Sequence, residues 1–163
     1  MYARPEMQPL LEPLVVSWGW HSETPGDSRF TDEQEWQGTR DIAAFLSVPS
    51  AIRFMEQRNW AEVRKQCHDL VRYAREGICS MTGLTPLSPD DPAWYMQMTA
   101  FSLPACDVDA LKRKLYDEFA AEVPVYTWSG KPLIRVSVQA YNTQADVDTL
   151  LKALEVLLPQ VQA

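Results

Sequence analysis

The chain has 163 residues, enough for one domain with an extension and for a sizeable core, and its 46% hydrophobic and 23% charged residues are globular values that exclude wholesale disorder. A net charge of -7 with no basic run repels phosphate backbones and anionic lipid surfaces, so neither nucleic acid nor a membrane is an expected partner. Cys67, Cys79 and Cys106 show no CxxC spacing, which argues against a disulfide framework and a zinc site and for a reducing, cytoplasmic setting.

Residues 1 to 38 are rich in Pro, Gly and Trp and read as mostly irregular, without the charged-then-apolar order of a signal peptide. The opening YARPEMQPLLEP starts neither a capped helix nor a first strand, as if continuing something larger. A helix is expected after Thr39, whose hydroxyl can cap free amides, passing through Ile42, Ala43, Phe45 and Leu46, with Pro49 kinking or restarting it.

A longer helix is expected from Asn59 as cap to near Gly83, with Trp60, Val63, Cys67, Leu70, Val71, Ala74 and Ile78 as its apolar stripe. Adjacent on it, Cys67 and His68 point about 100° apart and form no site, which leaves Cys67 in the core and His68 at the surface. His21, in a Trp-rich loop, is read as structural. TPLSPDDP is a loop, because its prolines defeat both helix and ladder.

The remainder alternates: a strand over 94–103, a helix over 107–121, strands over 123–126 and 133–140 around a Ser129-Gly130 turn, and a last helix capped by Thr143 with Asp146 three residues on. This order predicts an α+β fold in which a small antiparallel sheet carries helices packed on one face. Three segments are expected: an irregular 1–38, a helical 39–83 and an α/β sandwich over 84–163.

No Ser-His-Asp order, Gly-rich phosphate loop or HExxH is present, so the chain offers no catalytic set and no metal set. Two segments stand out. In EWQGTRD, Gly38 and Thr39 fall at the expected helix start, where free amides and a hydroxyl can hold a phosphate. In PLIRVSVQA, Ile134, Val136, Val138 and Ala140 face the core while Leu133, Arg135, Ser137 and Gln139 face away; a lone guanidinium among small polar groups can grip a carboxylate with two parallel bonds.

Taken in order, YARPEMQPLLEPLVVSWGW, EWQGTRDIAAFLSVPSAIRFM, the strand-helix pair through LKRKLYDEF, and IRVSVQAYNTQADVDTLL resemble the C-terminal part of class V aminotransferase-like enzymes, most closely the isopenicillin N epimerase-like branch. The resemblance implies the small domain of an aspartate aminotransferase-fold, pyridoxal 5′-phosphate enzyme. Its partners would be a large cofactor domain and a second subunit of a homodimer. It further implies that Gly38 and Thr39 reach the cofactor phosphate of the partner subunit and that Arg135 binds the α-carboxylate of an amino-acid substrate.

The lysine that holds the cofactor in such enzymes lies in the large domain. Lys65, Lys112, Lys114, Lys131 and Lys152 stand in other motifs, so this chain is expected to be an inactive fragment. Cysteine desulfurases carry a cysteine in the loop before the arginine; YTWSGKPLI has none, which disfavours persulfide chemistry and leaves epimerase, transaminase and lyase readings open. The competing reading is a freestanding, non-catalytic α+β binding or interaction module.

Overall fold

The computed structural model describes residues 2–162, which divide into two compact units with the boundary between Ile52 and Arg53. The first unit holds a 3-10 turn at Pro5–Leu10, helix α1 at Arg29–Glu35 and most of helix α2 at Ala43–Glu56. The second holds helix α3 at Trp60–Thr82, strand β1 at Met98–Ser102, helix α4 at Val108–Phe119, strands β2 and β3 at Val125–Trp128 and Lys131–Ser137, and helix α5 at Gln144–Leu157.

The second unit is the expected α+β arrangement. The strands form one antiparallel sheet in the order β1-β3-β2, with Phe101 opposite Ile134 and Val125 opposite Ile134 on its other edge. Phe101, Val125, Ile134 and Val136 bury one face of the sheet against Val71, Ala74 and Ile78 of α3, Leu111 and Leu115 of α4, and Leu150, Leu154 and Leu157 of α5. Gly77 lets α3 and α5 close together: a Cβ there would stand 2.6 Å from a methyl carbon of Leu151.

Local signals explain most of the boundaries. Asp107 caps α4, its carboxylate accepting the Asp109 and Ala110 amides at 3.1 and 2.9 Å. Asp146 reaches back to the Thr143 N–H at 2.8 Å to start α5. Ser129 and Gly130 join β2 to β3 with φ of 49° and 75°, the mirror-image turn whose twist matches a tight hairpin.

Several expectations need correction. The first 38 residues are irregular apart from the 3-10 turn and α1, which Ser28 starts by accepting the Thr31 amide and which the sequence reading did not anticipate. Thr39 caps nothing: α2 begins at Ala43, whose amide is taken at 2.8 Å by Asp41, a shorter and better-placed acceptor. Helix α2 continues through Pro49, which removes a single amide donor from a helix of 14 residues. Asn59 precedes α3 in the left-handed region and its side chain makes no cap.

The first strand covers only Met98–Ser102, because Asp91 organises a turn at its entrance by accepting the Ala93 amide at 2.7 Å. On β3 the ladder ends at Ser137, Ala140 is exposed, and Leu133, read as outward, is buried. His68 is buried rather than at the surface. The loop between α3 and β1 folds over it, bringing the Met96 carbonyl to 3.1 Å from Nδ1 and the Tyr95 ring to 5.0 Å from its own. That loop is fastened further by Arg75, whose Nη2 donates to the Ser88 carbonyl at 2.7 Å, and by Asp90, which accepts from Arg72 at 3.1 Å and from the Tyr95 hydroxyl.

Candidate functional site

Arg135 lies on the central strand, so its neighbours come from both sides. Ala100 of β1 stands directly across from it, and its backbone amide donates to the Pro124 carbonyl at 3.0 Å on the β2 side. Strand alternation turns its side chain away from Ile134 and Val136, onto the face opposite the one packed against α3, α4 and α5, together with Met98, Ser137 and Trp128. Arg135 is exposed and, among the described residues, its guanidinium has no hydrogen-bond or ion-pair partner. Ala100, a small side chain directly opposite it, is half-buried.

Gly38 and Thr39 occupy the turn between α1 and α2 in the first unit. Gly38 has φ of 109°, a region closed to most side chains, and nothing lies within 4 Å of the place where a Cβ would stand. The Thr39 hydroxyl has no partner among the described residues. Both line a cavity of about 370 Å³ together with Thr31, Asp32, Glu35, Trp36, Arg40 and Ile42. Arg40, which the sequence reading passes over, brings a positive charge to the same cavity; the signal was its place directly after Gly-Thr. The cavity belongs to the first unit and Arg135 to the second.

A family model described as aminotransferase class V matches residues 1–150 of the chain. The chain belongs to the class V aminotransferase family. It is 39% identical over 158 residues to the isopenicillin N epimerase of Amycolatopsis lactamdurans, covering 91% of this chain and 40% of that protein. With the isopenicillin N epimerase of Streptomyces clavuligerus it shares 32% identity over 162 residues, 90% of this chain and again 40% of the relative. The chain thus spans about two fifths of the length of these relatives. The apo cysteine desulfurase of Thermococcus onnurineus NA1 superposes on 98% of this chain and 42% of its own with a TM-score of 0.73 at 20% identity, a likeness of fold.

In this class V aminotransferase chain, two of the five lysines and all three cysteines stand in structural surroundings. Lys65 and Lys114 are paired at 3.0 and 2.9 Å with Asp69 and Glu118. The hydrogen bond and charge of Asp69 raise the Lys65 pKa, opposite to what an amine poised for covalent attachment needs. Burial pushes all three thiols up, and a raised thiol is a poor nucleophile. The Gly38-Thr39 turn, with unobstructed backbone and a free hydroxyl, offers donors of the kind a phosphate group takes, whereas Lys65 and Lys114 are committed to ion pairs. Among the described residues no helix is long and apolar enough to cross a membrane, and no His, Cys, Asp and Glu cluster could hold a metal ion.

Proposed function

We propose that this chain is the C-terminal part of a cytoplasmic, homodimeric pyridoxal 5′-phosphate enzyme of the isopenicillin N epimerase-like branch, acting on an amino-acid substrate. Arg135 receives the α-carboxylate, its planar fork offering two parallel charge-assisted bonds. Gly38 and Thr39 complete the cofactor phosphate site of the neighbouring subunit through amides and a hydroxyl. When bound, the cofactor supplies an electron sink for chemistry at the substrate α-carbon. The chain's own contribution is to bind and orient, while the covalent lysine belongs to the large domain, so that the 163 residues alone are inactive.

The observation that carries this reading is the exposed Arg135 on the central strand, unpartnered among the described residues. A guanidinium so placed costs little to keep and gains most when a carboxylate arrives. The test is to join this chain to the large domain of the Amycolatopsis lactamdurans epimerase and follow cofactor absorbance and turnover of amino-acid substrates. Restored turnover that disappears on Arg135→Leu supports the assignment. A joined protein that binds cofactor and turns over substrate equally well without Arg135 refutes it.

A further inference from the structure

We propose that the edge of β3 at Ser137 takes an extended, basic segment of the enzyme that lies outside these 163 residues, an assignment that rests on reading the chain as part of a longer enzyme. Strand β3 runs further than its neighbour β2. Val125 pairs with Ile134, and the last bond on that side runs from the Arg135 amide to the Pro124 carbonyl at 3.0 Å. Continuing the register would set Val123 opposite Val136 and Glu122 opposite Ser137. The chain turns away instead, because the Ala120 and Ala121 amides donate to the Tyr116 and Leu115 carbonyls at the end of α4, both at 3.0 Å. A cavity of about 350 Å³ lies in the resulting fork, lined by both stretches and by the start of α5.

Successive residues of an antiparallel strand direct their backbone groups to opposite sides. The Arg135 amide points towards β2, and the Val138 amide towards β1, where it meets the Gln97 carbonyl at 2.8 Å. Ser137 therefore presents its N–H and C=O to the fork, and among the described residues neither has a hydrogen-bond partner. A free donor and acceptor on one edge residue are what another extended chain pairs with. Edges are commonly blunted by a charge or a proline, and Ser137 is neither. The floor of the fork is apolar, made by Phe119, Val136, Val138, Val147 and Leu150. Its charges are the Glu122 and Asp146 carboxylates, with no Lys, Arg or His among the lining residues. Asp146 is engaged with the Thr143 amide at 2.8 Å, whereas Glu122 has no ion-pair partner among the described residues. A matching segment thus pairs its backbone with Ser137, turns an aliphatic side chain onto the floor and brings a Lys or Arg to Glu122. The chain covers 40% of the Amycolatopsis lactamdurans epimerase, so the larger part of such an enzyme is tethered nearby, and tethering makes even a small set of contacts effective.

The test compares the isolated chain with the chain joined to the large domain of the Amycolatopsis lactamdurans epimerase by residue-resolved hydrogen–deuterium exchange. The Ser137 amide should exchange freely in the isolated chain and about tenfold or more slowly in the joined protein. The Arg135 and Val138 amides, bonded in both, should change far less. Glu122→Lys should return the Ser137 amide towards its free rate, and Glu122→Gln should do so in part. A joined protein that binds cofactor while its Ser137 amide exchanges as in the isolated chain overturns the inference and leaves the enzyme reading intact. A folded joined protein that protects Ser137 but binds no cofactor supports the edge contact and counts against the enzyme reading. Protection unaltered by Glu122→Lys overturns the basic character of the segment. Protection in the isolated chain that grows with its concentration overturns the assignment in favour of a second copy.

Discussion

Ala100 and Arg135 face each other across the β1–β3 ladder, the smallest side chain opposite the longest on the outer face of the sheet. Directly opposed residues bring their Cβ atoms to roughly 5 Å, so Ala100 sets the free space beside the guanidinium. In the protein joined to a large domain, Arg135→Leu should cost roughly 2 to 5 kcal/mol in substrate binding, read from kcat/KM, because the carboxylate loses its partner. Arg135→Lys should recover part of this, since a point charge replaces a fork. The melting temperature should hardly change, because Arg135 is exposed and supports nothing else. An unaltered kcat/KM in Arg135→Leu removes the residue from the site.

Thr39 and Asp41 separate two roles that the sequence places side by side. The Asp41 carboxylate takes the Ala43 amide at 2.8 Å, whereas the Thr39 hydroxyl is not engaged. Asp41→Ala should therefore lower stability by about 0.5 to 2 kcal/mol through the lost helix start. Thr39→Ala should leave stability unchanged and weaken cofactor retention by about 1 to 2 kcal/mol in the joined dimer. Cofactor titration beside thermal melting resolves the pair, and a Thr39→Ala variant that melts early with unchanged cofactor affinity reverses the assignment.

Tyr95 gives the second unit an alkaline limit. Burial first, and then its hydrogen bond to Asp90, push its pKa from 10.0 up to about 12. A folded-state pKa above the unfolded one favours the protonated phenol in the fold. This stability is complete below pH 10 and is lost as pH rises towards 12. Tyr95→Phe should cost about 1 kcal/mol at neutral pH, one net hydrogen bond, and should flatten the fall in stability above pH 10. Chemical denaturation at neutral pH and at pH 10 to 11.5 is the check; an equally steep alkaline fall in the variant would place the titrating group elsewhere.

The parts legible in the sequence were those written by neighbours in the chain. The Thr143–Asp146 reach-back, the Ser129-Gly130 turn and the stripes of α3, α4 and α5 each depend on residues within a few positions. What was misread depends on distant chain. His68 is buried because a loop more than twenty residues later closes over it, bringing the Met96 carbonyl to its ring. Thr39 looked like a cap because Thr, Arg and Asp in succession offer two competing acceptors, and only the fold shows that Asp41 wins. Arg135 was legible as an outward residue from alternation, yet Leu133 on the same face is buried, which period two cannot distinguish.

The first unit leaves an unusual amount of apolar surface exposed, and this sets the expected behaviour of the isolated chain. No residue of α2 is buried, although Phe45 and Leu46 are 62% and 68% exposed and Ile42, Val48 and Ile52 are exposed beside them. Trp18 and Trp36 are also bare, whereas Trp20 is half-buried with its ring 4.7 Å from that of His21 and contributes less. A helix that exposes apolar groups all round is not stable as a surface helix in water, and contiguous apolar patches promote association. The purified chain should therefore self-associate or aggregate, and should retain no pyridoxal phosphate through gel filtration. Replacing Phe45, Leu46 and Val48 together with polar residues should shift it towards monomer, since these side chains support no core of their own. Joining the chain to a relative's large domain should restore solubility if that domain covers the same helix. Light scattering coupled to gel filtration measures the first effect and absorbance of bound cofactor the second. A monodisperse monomer that holds pyridoxal phosphate stoichiometrically on one lysine would refute the reading of this chain as part of a larger enzyme.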